Sequence, residues 1–145
     1  MLNARYPQAG LRSAGFTLLE LLVVMVIIGL LAAYVGPRYF SQIGKSERST
    51  AKAQIESFGK ALDSYRLDTG HYPTTEQGLA ALVVAPPNEP KWNGSYLAKS
   101  VPADPWGRPY IYRSPGANGA DFDLMSYGKS GQAGAEGDSE RISYR

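Results

Sequence analysis

The chain has 145 residues, a formal net charge of +2 and no cysteine, which excludes disulfides, thiolate zinc sites and cysteine nucleophiles. Arg5 and Arg12 both precede Gly15, so a cut after Gly15 would leave thirteen charges of each sign. Binding to nucleic acid phosphates needs clustered Lys and Arg, and the sequence has no such cluster. We therefore expect no nucleic acid among the partners.

The first predicted element is an apolar run from Phe16 to Val35, in which Glu20 is the only charged residue. As a helix it is long enough to cross about 30 Å of hydrocarbon. A cleaved secretory signal fits poorly, because Glu20 interrupts the run and such signals have apolar regions of about 7 to 15 residues. A plain single-span anchor, with the basic N-terminus cytoplasmic, gives no role to a carboxylate that costs about 2.5 to 3.5 kcal/mol in lipid.

A third interpretation gives Glu20 a partner. If a peptidase cuts between Gly15 and Phe16, the new α-amino group lies four residues before Glu20, on the same face of a helix. In a stack of parallel helices, the carboxylate of one subunit could instead pair with the amine of a neighbour. Because burying either charge alone is costly, such a pair favours association only in the correct register.

The stretch from Gly15 to Pro37, GFTLLELLVVMVIIGLLAAYVGP, resembles the leader junction and N-terminal helix of type IV pilins and type II secretion pseudopilins. In that family a prepilin peptidase cuts after the glycine and N-methylates the next residue. The resemblance therefore implies cleavage between Gly15 and Phe16 and methylation of Phe16. It also implies roles in assembly for Glu20 and Pro37.

A second helical pattern follows Pro37, which we expect to kink the helix and not to end it. Apolar residues recur there at intervals of four, three, four and three, the spacing of one stripe on an amphipathic helix: Ala51, Ile55, Phe58, Leu62 and Tyr65. Gly70 supplies a C-cap. One long helix from Phe16 to Thr69 is predicted.

A short helix is predicted next, from Thr75 to about Val84, because Thr74 and Gln77 form a capping-box pattern. His71, the only histidine, is interpreted as a turn or packing residue. It has no second base or nucleophile beside it, so we expect no enzyme activity.

The remaining segments predict loops and two strands. Trp92, Tyr96 and Trp106 lie in loops and are expected to pack on the long helix. The strands run from Tyr110 to Arg113 and from Phe122 to Met125, joined by a turn-rich loop. A small antiparallel sheet on a long helix is an α+β arrangement.

These segments extend the resemblance over almost the whole chain. The stretches YPTTEQGLAAL, VPADPWGRPYIY and DFDLMSYG look like the major, G-type pseudopilins of type II secretion, within the type IV pilin-like superfamily. The resemblance implies a leader over residues 1–15, a transmembrane and filament-core helix over 16–36, and a periplasmic globular domain over 37–145. Such a chain is a single-pass protein of the bacterial inner membrane and a structural subunit of a periplasmic pseudopilus that helps to export folded proteins across the outer membrane.

The implied partners are further copies of the chain in a helical filament, minor pseudopilins, the inner-membrane assembly platform and prepilin peptidase. The alternative is a pilin-like subunit of a type IV pilus or of a DNA-uptake or adhesion filament. DNA uptake favours a basic, aromatic surface, whereas Lys91, Arg108 and Arg113 are scattered along the chain.

The tail SYGKSGQAGAEGDSERISYR resembles a loop that binds calcium in the major pseudopilins. Oxygen ligands in a flexible loop suit Ca²⁺, and the resemblance points to Ser130, Asp138, Ser139 and Glu140 as ligands. Ser130 and Arg141 stand where the family usually has aspartate, which weakens the attraction for a divalent cation.

Three interpretations of this tail stay open. The first is a calcium site. The second is a loop held without an ion, in which Lys129 or Arg141 pairs with Asp138 or Glu140. The third is a solvated, glycine-rich tail.

Overall fold

The computed structural model describes residues 15–133 and 141–144. Its longest element is the 52-residue helix α1 (Leu18–Thr69). A 3₁₀ helix (Gly78–Leu82) and a 3₁₀ turn (Ala117–Gly119) are the other helical elements of this part of the chain. The strands are β1 (Ile111–Arg113), β2 (Asp123–Ser126) and β3 (Ile142–Ser143). A long helix with a small antiparallel sheet confirms the predicted α+β class.

The helix α1 passes through Pro37 and ends where the sequence predicts. Pro37 lies inside the helix, so it does not stop it. At the C-terminus Gly70 has a φ of 88°, the left-handed conformation that favours glycine, and its N–H donates to the carbonyl of Arg66 at 2.8 Å. The chain divides into two compact units within this helix, one up to Ser41 and one from Gln42 onward.

The second unit is built around the buried stripe of α1. All five residues of the predicted stripe are buried, so that prediction is confirmed. The core is completed by side chains from the 3₁₀ helix, the strands and the loop before β1, namely Leu79, Ala81, Leu82, Tyr110, Tyr112, Leu124 and Ile142.

The predicted helix over Thr75–Val84 is wrong in both type and length. Its capping box does form, because the N–H of Thr74 donates to Gln77 Oε1 at 2.8 Å and the N–H of Gln77 donates to Thr74 Oγ1 at 3.3 Å. Gly78 then has a φ of 58°, which a right-handed α-helix cannot contain. Only the five-residue 3₁₀ helix follows.

The three strands form one antiparallel sheet in the order β1, β2, β3. Tyr112 lies opposite Leu124 in the first pair and Ser126 lies opposite Ile142 in the second. The two predicted strands are confirmed to within one residue at each end. The third strand was not predicted, because two residues are too few to show an alternating pattern.

Tyr144 packs against the C-terminal part of α1. The ring of Tyr144 lies over Gly59, where a β-carbon would overlap it. Tyr144 also stacks on Phe122, with ring centroids 5.4 Å apart, and its N–H donates to the carbonyl of Leu124 at 2.9 Å. Tyr144 is therefore part of the packed structure of the second unit.

Candidate functional site

The first unit carries a continuous apolar surface on α1. Every residue from 15 to 35 is exposed. The large side chains of this surface belong to Phe16, Leu18, Leu19, Leu21, Leu22, Val23, Val24, Met25, Val26, Ile27, Ile28, Leu30, Leu31, Tyr34 and Val35. The helix is long and apolar enough to cross a membrane. A surface of this extent needs a lipid or protein partner, because soluble monomers rarely expose large apolar patches.

Glu20 closes a capping box at the start of this surface. Its Oε2 accepts hydrogen bonds from the backbone N–H and the hydroxyl of Thr17, at 2.8 and 3.1 Å. In return, the N–H of Glu20 donates to Thr17 Oγ1 at 3.1 Å. In the uncut chain, the carboxylate therefore has partners within its own helix N-terminus.

The helix begins two residues later than predicted. Phe16 precedes α1, which starts at Leu18, so Phe16 and Glu20 do not occupy one helical face in the uncut chain. The Thr17 cap is the physical reason, because an N-cap residue has a non-helical backbone. The sequence contains this signal as Thr17-Leu-Leu-Glu20, and the sequence analysis missed it.

The predicted cleavage position lies in this non-helical segment. Gly15 and Phe16 are both exposed, and the Phe16 side chain is 84% accessible. A β-carbon on Gly15 would meet no atom within 4 Å. Packing therefore gives no reason for a glycine at this position.

Aromatic and basic side chains follow the apolar run. The guanidinium of Arg38 lies 4.9 Å from the ring centroid of Tyr34, and the rings of Tyr39 and Phe40 meet edge to face at 6.2 Å. Pro37 lies among these exposed residues. Such a girdle is typical of the boundary between a membrane and water.

Of the four predicted calcium ligands, Ser130 lies within the described residues, and Asp138, Ser139 and Glu140 lie outside them. The hydroxyl of Ser130 is 3.4 Å from the carbonyl oxygen of Tyr127. Within residues 15–133 and 141–144, no group of three His, Cys, Asp or Glu side chains could hold a metal ion. The predicted pairing of Lys129 or Arg141 with tail acids likewise involves residues outside the described ranges.

The loop around Ser130 is held by Arg108, which the sequence analysis treated only as a scattered charge. Arg108 Nη1 donates to the carbonyl of Gly128 at 2.8 Å and to that of Lys129 at 3.2 Å, and Nη2 donates to Lys129 at 3.3 Å. Gly131, with a φ of 66°, lies against the same guanidinium, where a β-carbon would overlap it.

Asp104 joins the loop of Arg108 to strand β2. Only 5% of Asp104 is exposed. Its Oδ1 accepts hydrogen bonds from the N–H of Trp106 at 3.1 Å and of Arg108 at 2.8 Å, and its Oδ2 accepts one from the Ser126 hydroxyl at 2.7 Å. The N–H of Gly128 donates to the same hydroxyl at 3.1 Å. Both oxygens of the buried carboxylate thus accept hydrogen bonds from groups within the protein.

The aromatic loops pack on the second unit as predicted. Trp92, Tyr96 and Trp106 all contact the core. The Tyr96 hydroxyl donates to Asp68 at 2.8 Å, and the indole N–H of Trp106 donates to Glu47 at 3.0 Å. Both acceptors lie on α1, so these bonds tie the loops to the helix.

His71 makes structural contacts. Its Nε2 lies 2.8 Å from Glu89 Oε2, its Nδ1 lies 3.0 Å from the carbonyl oxygen of Tyr72, and its ring meets Tyr65 edge to face. This agrees with its interpretation as a turn or packing residue.

Two core tyrosines have strongly perturbed hydroxyls. Burial raises the pKa of Tyr110 and of Tyr112 to about 12. The hydroxyl of Tyr112 donates to the carbonyl of Pro73 at 2.8 Å, and that of Tyr110 donates to Gln54 Oε1. Both hydroxyls therefore stabilise the fold in their neutral form.

Two family models match this chain. One, described as "Type II secretion system (T2SS), protein G", matches residues 38–145, and the other, described as "Prokaryotic N-terminal methylation motif", matches residues 11–36.

Named relatives agree with these matches. The type II secretion system core protein G of Pseudomonas aeruginosa is 45% identical over 126 residues, which cover 85% of this chain and 88% of that protein. The protein of the same name from Escherichia coli K12 is 45% identical over 130 residues, covering 88% and 89%. A crystal structure of the major pseudopilin from the type 2 secretion system of enterohaemorrhagic E. coli aligns with a TM-score of 0.58 at 34% identity, covering 72% of this chain and 90% of that one.

Proposed function

The chain belongs to the type II secretion system protein G family, and from that premise we propose that α1 anchors it in the bacterial inner membrane by a single pass, with its globular part in the periplasm. It is a structural subunit of a type II secretion pseudopilus, with a type IV pilin-like fold. The observation that carries the anchoring proposal is the fully exposed apolar surface of residues 16–35. In lipid this surface would have apolar neighbours on every side.

We propose that prepilin peptidase cuts between Gly15 and Phe16 and methylates the new amino group of Phe16. The match to an N-terminal methylation motif over residues 11–36 supports this assignment. The bond to be cut precedes the first helical residue, Leu18, and is exposed. A peptidase could therefore reach it without unwinding α1.

We propose that Glu20 exchanges partners during assembly. In the uncut chain its carboxylate accepts two hydrogen bonds from Thr17. Cleavage creates an amine on Phe16, and in a stack of parallel helices the carboxylate of one copy takes the amine of the next. Away from water an unpaired charge is costly, and the carboxylate and the amine offset this cost only when they are in contact. A neighbour in the wrong register would leave both charges unpaired.

The finished filament would be a helical homo-oligomer. Its core would be formed by residues 16–36 of each copy, and Pro37 would mark the end of this core segment. The other proposed partners are minor pseudopilins and the inner-membrane assembly platform, with no nucleic acid. We propose no catalytic activity for the chain itself. Its relatives are named as secretion system proteins, which favours this role over a type IV pilus, DNA-uptake or adhesion filament.

The test is expression of the full chain with and without prepilin peptidase, followed by mass spectrometry of the N-terminus. The expected product begins at a methylated Phe16 only when the peptidase is present. Gly15→Leu should stay uncut, because a side chain at this position obstructs the peptidase.

The matched control is Gly10→Leu, the same change five residues earlier, which should be processed normally. A Gly15→Leu chain that begins at Phe16 would contradict the assignment of the cleavage site. An uncut wild-type chain in the presence of the peptidase would contradict it as well.

A further inference from the structure

We propose that the guanidinium of Arg108 is the cation that holds the loop 127–131, and that this loop folds without a divalent metal ion. The proposal concerns the second unit alone, and its tests measure stability and not assembly. Its failure is therefore distinguishable from a failure of the proposed filament function.

The guanidinium of Arg108 spans two peptide groups of the loop. Two nitrogens of the Arg108 guanidinium make three hydrogen bonds to the carbonyl oxygens of Gly128 and Lys129, at 2.8 to 3.3 Å. Hydrogen bonds from a charged donor are stronger than neutral ones, and the planar fork of arginine fixes their direction. One side chain thus orients two consecutive peptide groups of the loop.

Arg108 is itself held in place by Asp104. Its backbone N–H donates to the buried carboxylate of Asp104, and the carbonyl of Arg108 accepts from the N–H of Asp104 at 2.7 Å. Asp104 Oδ2 accepts from Ser126, one residue before the loop. The arginine is therefore held on a buried network that also reaches the loop through β2.

The described oxygen donors of the loop fit calcium poorly. Ca²⁺ takes six to eight oxygen ligands, of which carboxylates supply most of the charge. Here the loop contributes the hydroxyl of Ser130, and the carbonyls of Gly128 and Lys129 already accept hydrogen bonds from a guanidinium. A divalent cation beside that fixed positive charge would be repelled. The described residues therefore do not fit a calcium site.

Gly131 is consistent with this arrangement. Its φ of 66° and its contact with the guanidinium leave no room for a side chain. A glycine at this position therefore lets the backbone pass close to Arg108.

The experiment measures thermal unfolding of the full chain in detergent, with excess calcium and with a chelator. Trp92 and Trp106 are the only tryptophans and both belong to the second unit, so their fluorescence reports on that unit alone. For the wild-type chain we expect the same Tm in both conditions. Arg108→Ala should lower the Tm by roughly 5 to 10 °C, because it removes three charge-assisted hydrogen bonds, and calcium should not restore it.

A second measurement follows the loop itself. A protease that cuts after lysine should release the peptide ending at Lys129 several-fold faster from the Arg108→Ala chain than from the wild type, because the loop has lost its anchor. Arg108→Lys keeps the positive charge but loses the planar fork of the guanidinium. Its rate of cleavage after Lys129 should therefore lie between those of the wild type and Arg108→Ala. It also serves if the alanine variant does not fold.

The matched control is Arg113→Ala, which removes an exposed arginine from β1. It should change neither the Tm nor the cleavage at Lys129. A wild-type Tm that falls with the chelator and recovers with calcium would overturn the proposal. Arg108 variants with wild-type Tm and wild-type cleavage would overturn it equally.

Discussion

The two halves of α1 differ in where their apolar side chains find contacts. Between Leu18 and Ser41 no residue is buried, although most are apolar. From Ala51 to Thr69 the same helix buries eight residues along one stripe. The difference is one of pattern, because the first half is apolar all round and the second is apolar on one side.

This comparison separates assembly from folding. A stripe needs a single apolar surface, and the chain supplies that surface from its own 3₁₀ helix, strands and loops. A helix that is apolar all round needs neighbours on every side, and a chain of this size cannot supply them. Mutations in the first half should therefore affect association, and mutations in the second half should affect the free energy of unfolding.

The largest expected effect comes from Glu20→Ala, which tests the first half. We expect normal processing, but a yield of sedimentable filaments at least about tenfold lower, because one unpaired amine per copy would be left in the core. The measurement is the fraction of the chain that pellets after gentle lysis has released the periplasm of cells that carry the secretion system.

The control for this variant is Thr17→Val, which removes the hydroxyl of the capping box but keeps the carboxylate. It should cost only about 1 kcal/mol of local helix stability and should assemble. If both variants assembled equally poorly, Glu20 would act through the cap and not through a neighbour. If Glu20→Ala formed filaments at the wild-type level, the pairing proposal would be wrong.

The next effect is that of Leu62→Ala, which tests the second half. Leu62 is completely buried, so its truncation should lower the free energy of unfolding by about 2 to 5 kcal/mol. The Tm, followed by tryptophan fluorescence, should fall by roughly 10 °C or more.

Leu30→Ala is the matched control, because it is the same change in the other half of the same helix. The side chain of Leu30 is 68% exposed, and its truncation should leave the Tm of the second unit unchanged. Equal losses of Tm in the two variants would mean that the halves of α1 do not divide folding from assembly.

A smaller effect is expected from Tyr112→Phe, which refines the description of the buried half. The variant leaves the carbonyl of Pro73 without its donor and should cost about 1 to 3 kcal/mol. Tyr65→Phe is the control, because the Tyr65 hydroxyl is equally buried but has no hydrogen-bond partner in the described part of the chain. It should be neutral or slightly stabilising, and an equal cost for both variants would contradict this assignment.

The same tyrosine predicts the response to alkali. With the pKa of Tyr112 raised to about 12, the unfolded chain releases the phenol proton at a lower pH than the folded chain. Its stabilisation is therefore complete below about pH 10 and is lost between about pH 10 and 12, at about 1.4 kcal/mol per pH unit. Tyr112→Phe should reduce this slope in urea unfolding measured at several pH values.

Features with a repeating pattern could be predicted from the sequence. The buried stripe of α1 follows from intervals of three and four residues, and the end of the helix at Thr69 follows from the freedom of Gly70 to take a positive φ. The strands β1 and β2 carry enough alternation and flanking turn residues to be located within one residue.

Features that depend on a distant partner could not be predicted in the same way. Strand β3 has two residues and exists because β2 offers it an open edge. The role of Arg108 depends on the backbone carbonyls of Gly128 and Lys129. Every residue has a backbone carbonyl, so the residue types in a sequence do not show which carbonyls accept a hydrogen bond. The helix predicted over Thr75–Val84 contains Gly78, whose left-handed backbone excludes an α-helix there.

The position of Tyr144 over Gly59 has a consequence for biosynthesis. Because a ribosome makes the chain from its N-terminus, the side of α1 around Gly59 is synthesised well before the ring of Tyr144 that covers it. A product truncated by an early stop codon would leave that hollow open and the β2 edge unpaired, a surface of the kind that chaperones and proteases recognise. The hollow can therefore close only after translation has passed Tyr144.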